Sequence, residues 1–114
     1  MPIGRNLPQL NESDVLAARE YTLQSQIDCS PRIVVRIGYP TKGDDGYYIC
    51  VAEIIHGNVV STKPMSGVDA FEALQLALSI IEIELEDIRN QSQGQLSWNG
   101  GERFDLGFPL DAES

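Results

Sequence analysis

One long amphipathic segment, from Ser66 to about Gln91, decides most of what this chain can fold into. The pattern Ser66-Gly67-Val68-Asp69 predicts a capping box, with Ser66 accepting from a first-turn amide and Asp69 reaching back. Ser92 and Gly94 are the stop. A helix of about 25 residues is roughly 37 Å long, whereas strands of about eight residues reach about 26 Å. Its last turns are therefore expected to overhang any sheet it covers. Leu74, Ala77, Leu78, Ile81, Leu85 and Ile88 form a main stripe that should face the sheet. Leu76, Ile80 and Ile83, with Ala73, form a second stripe beyond its edge. That arc is wider than one sheet contact needs, so something else must cover the second stripe.

The preceding chain supplies the sheet. Leu16 to Gln24 suits a first strand, with Arg19, Tyr21 and Leu23 on one face. Asp28, Ser30 and Pro31 mark a turn. From Arg32 to Tyr39, the residues Ile33, Val35, Ile37 and Tyr39 alternate with Arg32, Val34, Arg36 and Gly38, giving one buried and one wet face. A loop PTKGDDG leads to a third strand, Gly46 to Ile55, apolar on both faces except at Glu53, as a central strand would be. His56-Gly57-Asn58 carries a tight reversal into a fourth strand, Val59 to Lys63. The expected fold is α+β: a four-stranded antiparallel meander, one long helix packed on one face, and a short C-terminal strand or extended tail. Leu96 and Trp98 alternate as that strand, and Phe104, Leu106 and Phe108 recur at period two beyond the Gly100-Gly101 turn. These large residues, or a second copy of the protein, are the expected cover for the second stripe. Residues 1–14 read as a loose arm, 15–110 as a single domain and 111–114 as a disordered tail.

The 114 residues suffice for one core and not two. The N-terminus lacks the apolar core of a secretory signal, and the apolar run within 70–85 is broken by Glu72, Gln75, Ser79, Glu82 and Glu84, so no membrane span is expected. A cytoplasmic protein is the expectation. Cys29 and Cys50 are expected to be free thiols, although a bridge is open if the loop before the second strand folds over the third. One histidine and two cysteines cannot complete a zinc site, and no metal or other cofactor is expected. The charge is unevenly spread: residues 1–66 carry net −1 and residues 67–114 net −8, together the −9 of the whole chain. Such a surface repels phosphate backbones, so nucleic acid is not an expected partner and a basic one is.

Gly67-Val68-Asp69-Ala70, Ala73-Leu74-Gln75-Leu76-Ala77-Leu78, Trp98 and Asp105-Leu106-Gly107-Phe108-Pro109 together carry a resemblance. In these features the chain resembles a family of small bacterial proteins of unknown function, built from an Arg-Glu strand, an I-G-P strand and hairpin, a GVDALQAL-type helix and a DLGFP tail. Arg19-Glu20 and Ile37-Gly38 with Pro40 fit the earlier part, so the resemblance covers about residues 15–110. Phe71 departs from it, standing where a smaller aliphatic residue is common. The resemblance implies a bacterial source and a compact domain, and it brings no activity or catalytic residues.

No motif in the chain carries chemistry. His56 reads as a turn histidine, Ser66 as a helix cap without a nucleophile elbow around it, and Gly100-Gly101 lacks the continuation of a phosphate loop. Asp44-Asp45-Gly46 lacks the ligand spacing of a calcium loop. The protein is therefore not expected to be an enzyme. One local rule is broken: Glu82, Glu84, Glu86 and Asp87 crowd the negative end of the helix dipole against Arg89 alone. Each such carboxylate costs about 0.3–1 kcal/mol at most. With Leu76, Ile80 and Ile83 they form the candidate partner-binding surface of an interaction domain that self-associates or binds another protein. The alternative is an immunity- or antitoxin-like protein whose acidic helix end blocks a basic toxin. A third class, a small-molecule binder or enzyme, would show itself as a buried polar cluster around Arg19, Arg36 and Glu53.

Overall fold

The computed structural model describes residues 10–98, and within them an antiparallel sheet carries one long helix on one face. The strands are β1 (Val15–Gln24), β2 (Arg32–Gly38), β3 (Thr41–Lys42), β4 (Tyr48–His56), β5 (Val59–Gly67) and β6 (Gln95–Trp98), with α1 (Ala70–Ser92) between the last two. β5 pairs with β4 along its whole length, from His56↔Val59 to Tyr48↔Gly67. The other edge of β4 is shared: β2 takes Ala52 to His56, and β3 takes Tyr48 and Ile49. β3 is thus a continuation of β2 past Tyr39-Pro40. The lanes run β5–β4–β2–β1–β6, and α1 carries the chain from one edge to the other.

Direct pairing assigns the faces, because opposed residues point the same way. Tyr21, Ile33 and His56 lie in one row, Val35 and Ile54 in the next, Ile37 and Ala52 in a third, and Cys50 with Met65 in a fourth. Tyr21, Ile33, Val35, Ile37, Cys50, Ala52 and Ile54 from this face join Leu23 and Leu96, and Ala73, Ala77, Ile81 and Leu85 of α1, in a single core. The ion pair Lys63–Glu84, at 3.6 Å, joins the same face of β5 to the helix. Met65, Leu74, Ile80, Ile88 and Trp98 rim the core.

Several boundaries differ from the sequence reading, each for a reason visible in the backbone. The fourth strand runs on to Gly67, with Pro64 opposite Val51 on a lane that has no outer neighbour among the described residues. An edge lane is where a residue without an N–H is tolerated. Ser66 therefore pairs with Ile49 instead of capping the helix. The cap is Asp69, whose Oδ1 accepts from the Glu72 amide at 2.8 Å, while Glu72 Oε1 accepts from the Val68 amide at 2.7 Å. The arrangement is close to the one expected, shifted by three residues, except that Glu72 reaches the amide before the cap residue and not the cap's own. A Cβ on Gly67 would stand 2.5 Å from the Ala73 nitrogen, so only glycine lets the first turn fold back this tightly. The helix ends in a Schellman arrangement: Gln93 takes a left-handed conformation (φ 53), its amide bonding to Asn90, and the Gly94 amide bonds to Arg89.

The helix is also rotated from its expected setting. Ala73, Ala77, Ile81 and Leu85 are buried in an i, i+4 row of which half is small, and Ser92 is buried at the helix end. Small side chains let the axis approach the sheet, so the buried arc centres between the two expected stripes. Leu78, expected in the core, is exposed, whereas Ala73 and Ile80, assigned to the surplus stripe, belong to the core and its rim. Tyr39, expected on the buried face of the second strand, lies beyond β2 and is exposed.

Cys50 is buried and Cys29 exposed, and both are free. The Cys50 thiol donates to the Gly38 carbonyl at 3.3 Å, and burial pushes its pKa up. Of the arm expected over residues 1–14, residues 1–9 lie outside the described part; Glu12–Asp14 form a 3-10 turn that leads into β1. Phe104, Leu106, Phe108, Gly100-Gly101 and the 111–114 tail also lie outside it.

Candidate interaction surface

Three places bring polar or apolar groups together in a way that needs explaining. The first is the sheet face turned away from α1. Arg36 and Glu53 are directly opposed there, flanked by Val34, Val51, Ile55 and Val60. Arg36 Nε and Nη2 both reach Glu53 Oε1 at 2.9 Å, with the Glu53 side chain 0% and the Arg36 side chain 14% exposed. Leu10 completes the arrangement with its backbone: its amide donates to Glu53 Oε2 at 3.3 Å, and its carbonyl accepts from Arg36 Nη2. This explains the one acid on an otherwise apolar strand. Arg19 does not join the pair. It lies on the opposite face, its guanidinium 4.0 Å from the centre of the Trp98 ring, where a cation–π contact and the β1–β6 pairing fix it.

The second place is the end of the molecule around the β1–β2 loop. Ser25 Oγ donates to the Ser92 carbonyl at 2.7 Å and accepts from the Ile27 and Asp28 amides, tying the loop to the helix C-terminus. His56 Nε2 stands 3.2 Å from the Ser30 carbonyl and 3.4 Å from Asp28 Oδ2. Both neighbours are acceptors, so Nε2 carries its proton inward and the ring braces the loop. The Gly57-Asn58 turn has positive φ only at Gly57, the position where a type II′ hairpin places its glycine. A cleft of about 780 Å³ opens between this loop and the helix end, lined by Gln24, Gln26, Asp28, Cys29, Gln93 and Gln95 among others. Four glutamines and a single acid, Asp28, are among its polar groups. Among the described residues no three His, Cys, Asp or Glu side chains come together as a metal site.

The third place is the outer flank of α1. Leu76, Ile80 and Ile83 follow one another at i, i+4 and i+7 along one flank, with Asp87 four residues further. Leu76 is 37% and Ile83 61% exposed, whereas Ile80 packs against the core. On the other flank Phe71, at 77%, and Leu78 are exposed. The four acids of the helix end separate into two kinds. Glu84 pairs with Lys63 and Glu86 with Arg89 at 2.7 Å; Glu82 and Asp87 form no ion pair with a described residue, and Asp87 accepts from the Gln91 amide group. Leu96 enters the core and Trp98 its rim, so the described part of the C-terminal segment covers the sheet beside β1 and leaves Leu76 partly and Ile83 largely exposed.

A family model described as a domain of unknown function, DUF6968, matches residues 17–110, nearly the whole of the sheet and all of the helix. The chain belongs to the DUF6968 family. No curated protein and no solved structure matches it. The DUF6968 match begins inside β1, so the Leu10 bridge to Arg36 and Glu53 precedes the matched segment, while both flanks of α1 lie within it. No helix of the described residues is long and apolar enough to cross a membrane.

Proposed function

We propose that the chain is a non-enzymatic protein-interaction domain of a small bacterial, cytoplasmic protein, which works through the outer flank of α1 on another protein or a second copy. The observation that carries this reading is the exposure of Leu76 and Ile83 beside a helix row, Ala73–Ala77–Ile81–Leu85, that the sheet already buries. The polar groups most able to do chemistry are employed in the fold: His56 braces a loop and the Arg36–Glu53 pair holds Leu10. The bacterial part rests on the GVDALQAL-like helix and the DLGFP tail. Capture from a cell extract tests the reading, with the chain and its Leu76→Gln/Ile83→Gln variant as paired baits. Proteins held by the first and released by the second support it; identical sets on both baits refute it.

A second reading, an immunity- or antitoxin-like protein, draws on Glu82 and Asp87, two acids of the helix end with no ion-pair partner among the described residues. It predicts a basic toxin bound in a salt-sensitive way and released by Glu82→Lys with Glu86→Lys. Affinity indifferent to both changes removes it.

A further inference from the structure

We infer that the Leu76–Ile80–Ile83 flank of α1 takes a basic amphipathic helix of a different protein, and not a second copy of this chain; this rests on the interaction reading above. The geometry gives the shape of the partner. An i, i+4, i+7 row on a straight helix is a ridge about 10 Å long, and such a ridge fits the groove beside the matching row of another helix. Its ends are charged in one sense only. Asp87 closes the row at one end, Glu72 lies near the other beside its cap, and Glu82 and Glu86 stand further round the helix. The described cations near the helix are turned elsewhere, Lys63 to Glu84 and Arg89 to Glu86.

A second copy brings the wrong charges to this surface. A two-fold interface uses the same patch on both subunits. Antiparallel packing about Ile80 sets Leu76 near Ile83, but it also sets Asp87 of each copy near Glu72 of the other, between chains that each carry −9. A segment with apolar residues at i, i+4 and i+7 and lysines or arginines beside them satisfies both the ridge and its acidic ends. The Phe71–Leu78 flank differs in kind, since Arg89 lies on that side of the helix.

The test uses the full chain and a synthetic helix of about five turns, with leucines at i, i+4, i+7 and i+11 and lysines on the flanks, read by fluorescence anisotropy. A peptide with glutamates in place of the lysines is the comparator. The lysine peptide is expected to bind, to weaken as salt rises, and to lose about tenfold or more in affinity for the Leu76→Gln/Ile83→Gln variant. Phe71→Gln, on the other flank, is expected to leave binding unchanged. Circular dichroism melts of the variants show that they remain folded. Equal binding of the glutamate peptide, full binding by the ridge variant, or loss on Phe71→Gln overturns the inference. So does a solution mass showing a dimer that the ridge variant dissolves, although that result leaves the interaction reading standing. A monomer that ignores both peptides overturns the inference, and the paired-bait capture then decides the interaction reading separately.

Discussion

Removing the Arg36 guanidinium should be among the most damaging single changes on the sheet, and its size can be worked from the geometry. Arg36 holds Glu53 through two donors at 2.9 Å, and the Glu53 side chain is wholly buried. At an effective dielectric near 20, unit charges about 4 Å apart attract by about 4 kcal/mol. Breaking a buried pair by deleting one partner costs about 3–5 kcal/mol, since the remaining charge stays desolvated. The Arg36 side chain keeps 14% exposure and Leu10 still donates to Glu53, which argues for the lower end. Arg36→Met is therefore expected to lose about 3 kcal/mol. With a urea slope near 2 kcal/mol/M, the midpoint falls by roughly 1.5 M. Glu53→Leu alone leaves the arginine half of the pair unanswered and should lose about 2–3 kcal/mol. The double variant Arg36→Met/Glu53→Leu should lie within about 1–2 kcal/mol of the parent, because two apolar side chains replace the pair among Val34, Val51 and Ile55, at the cost of the partners of the Leu10 backbone groups. Urea unfolding of all four proteins gives the coupling energy directly. A loss under about 1 kcal/mol in Arg36→Met, or simple additivity in the double variant, would refute this account of why an acid sits in an interior strand.

Three further outcomes follow from local geometry. Gln93 sits at φ 53, the left-handed conformation that glycine adopts freely, so Gln93→Gly should stabilise the protein by roughly 0.5–1 kcal/mol in thermal melts, and no gain would argue against the Schellman end. Gly67→Ala places a Cβ 2.5 Å from the Ala73 nitrogen; backbone on both sides cannot yield cheaply, and a loss of about 2 kcal/mol or more is expected, with an unchanged melting temperature counting against the tight turn. Cys29 should react with a thiol reagent in the native protein while Cys50 reacts only after unfolding. Because burial raises the Cys50 pKa, the unfolded chain releases that proton first as pH rises above the ordinary thiol range. Stability is then lost with a slope of up to about 1.4 kcal/mol per pH unit, and Cys50→Ala should flatten that part of the profile.

What could be read from the sequence divides along physical lines. The alternation in β2, the glycine turn between β4 and β5, and the length of α1 are local signals, and the structure places all three within a few residues of expectation. The start of α1 was ambiguous because Ser66…Asp69 and Asp69…Glu72 both satisfy a capping box; the choice was made by the pairing of Ser66 and Gly67 with β4, which no local pattern reports. The interior place of β4 followed from its two apolar faces, but the partner of Glu53 did not, since Arg36 lies 17 residues away and the Leu10 backbone 43. The same holds for β6, whose four residues find β1 across the whole fold. His56 gave no signal of its brace to Ser30 and Asp28, because side chain to backbone bonds in loops leave no periodicity.

The rotation of α1 has the largest consequence for function. The helical wheel puts Leu78 in the stripe toward the sheet and Ala73 in the stripe beyond it, but close approach favours the small residues, and the row Ala73–Ala77–Ile81–Leu85 makes the contact. Once that row is the contact, Leu76 and Ile83 must point outward whatever else the chain does, and Ile80 alone of the three is held by the core. Their exposure is thus set by the two alanines and not by an excess of apolar residues seeking cover. Replacing a largely exposed side chain such as Ile83 changes stability by only about 0.5 kcal/mol, and Leu76, at 37% exposure, gives up somewhat more without emptying the core. Leu76→Gln with Ile83→Gln should therefore leave the fold intact while removing the ridge. Binding through this flank and folding through the opposite one are separable in a single protein.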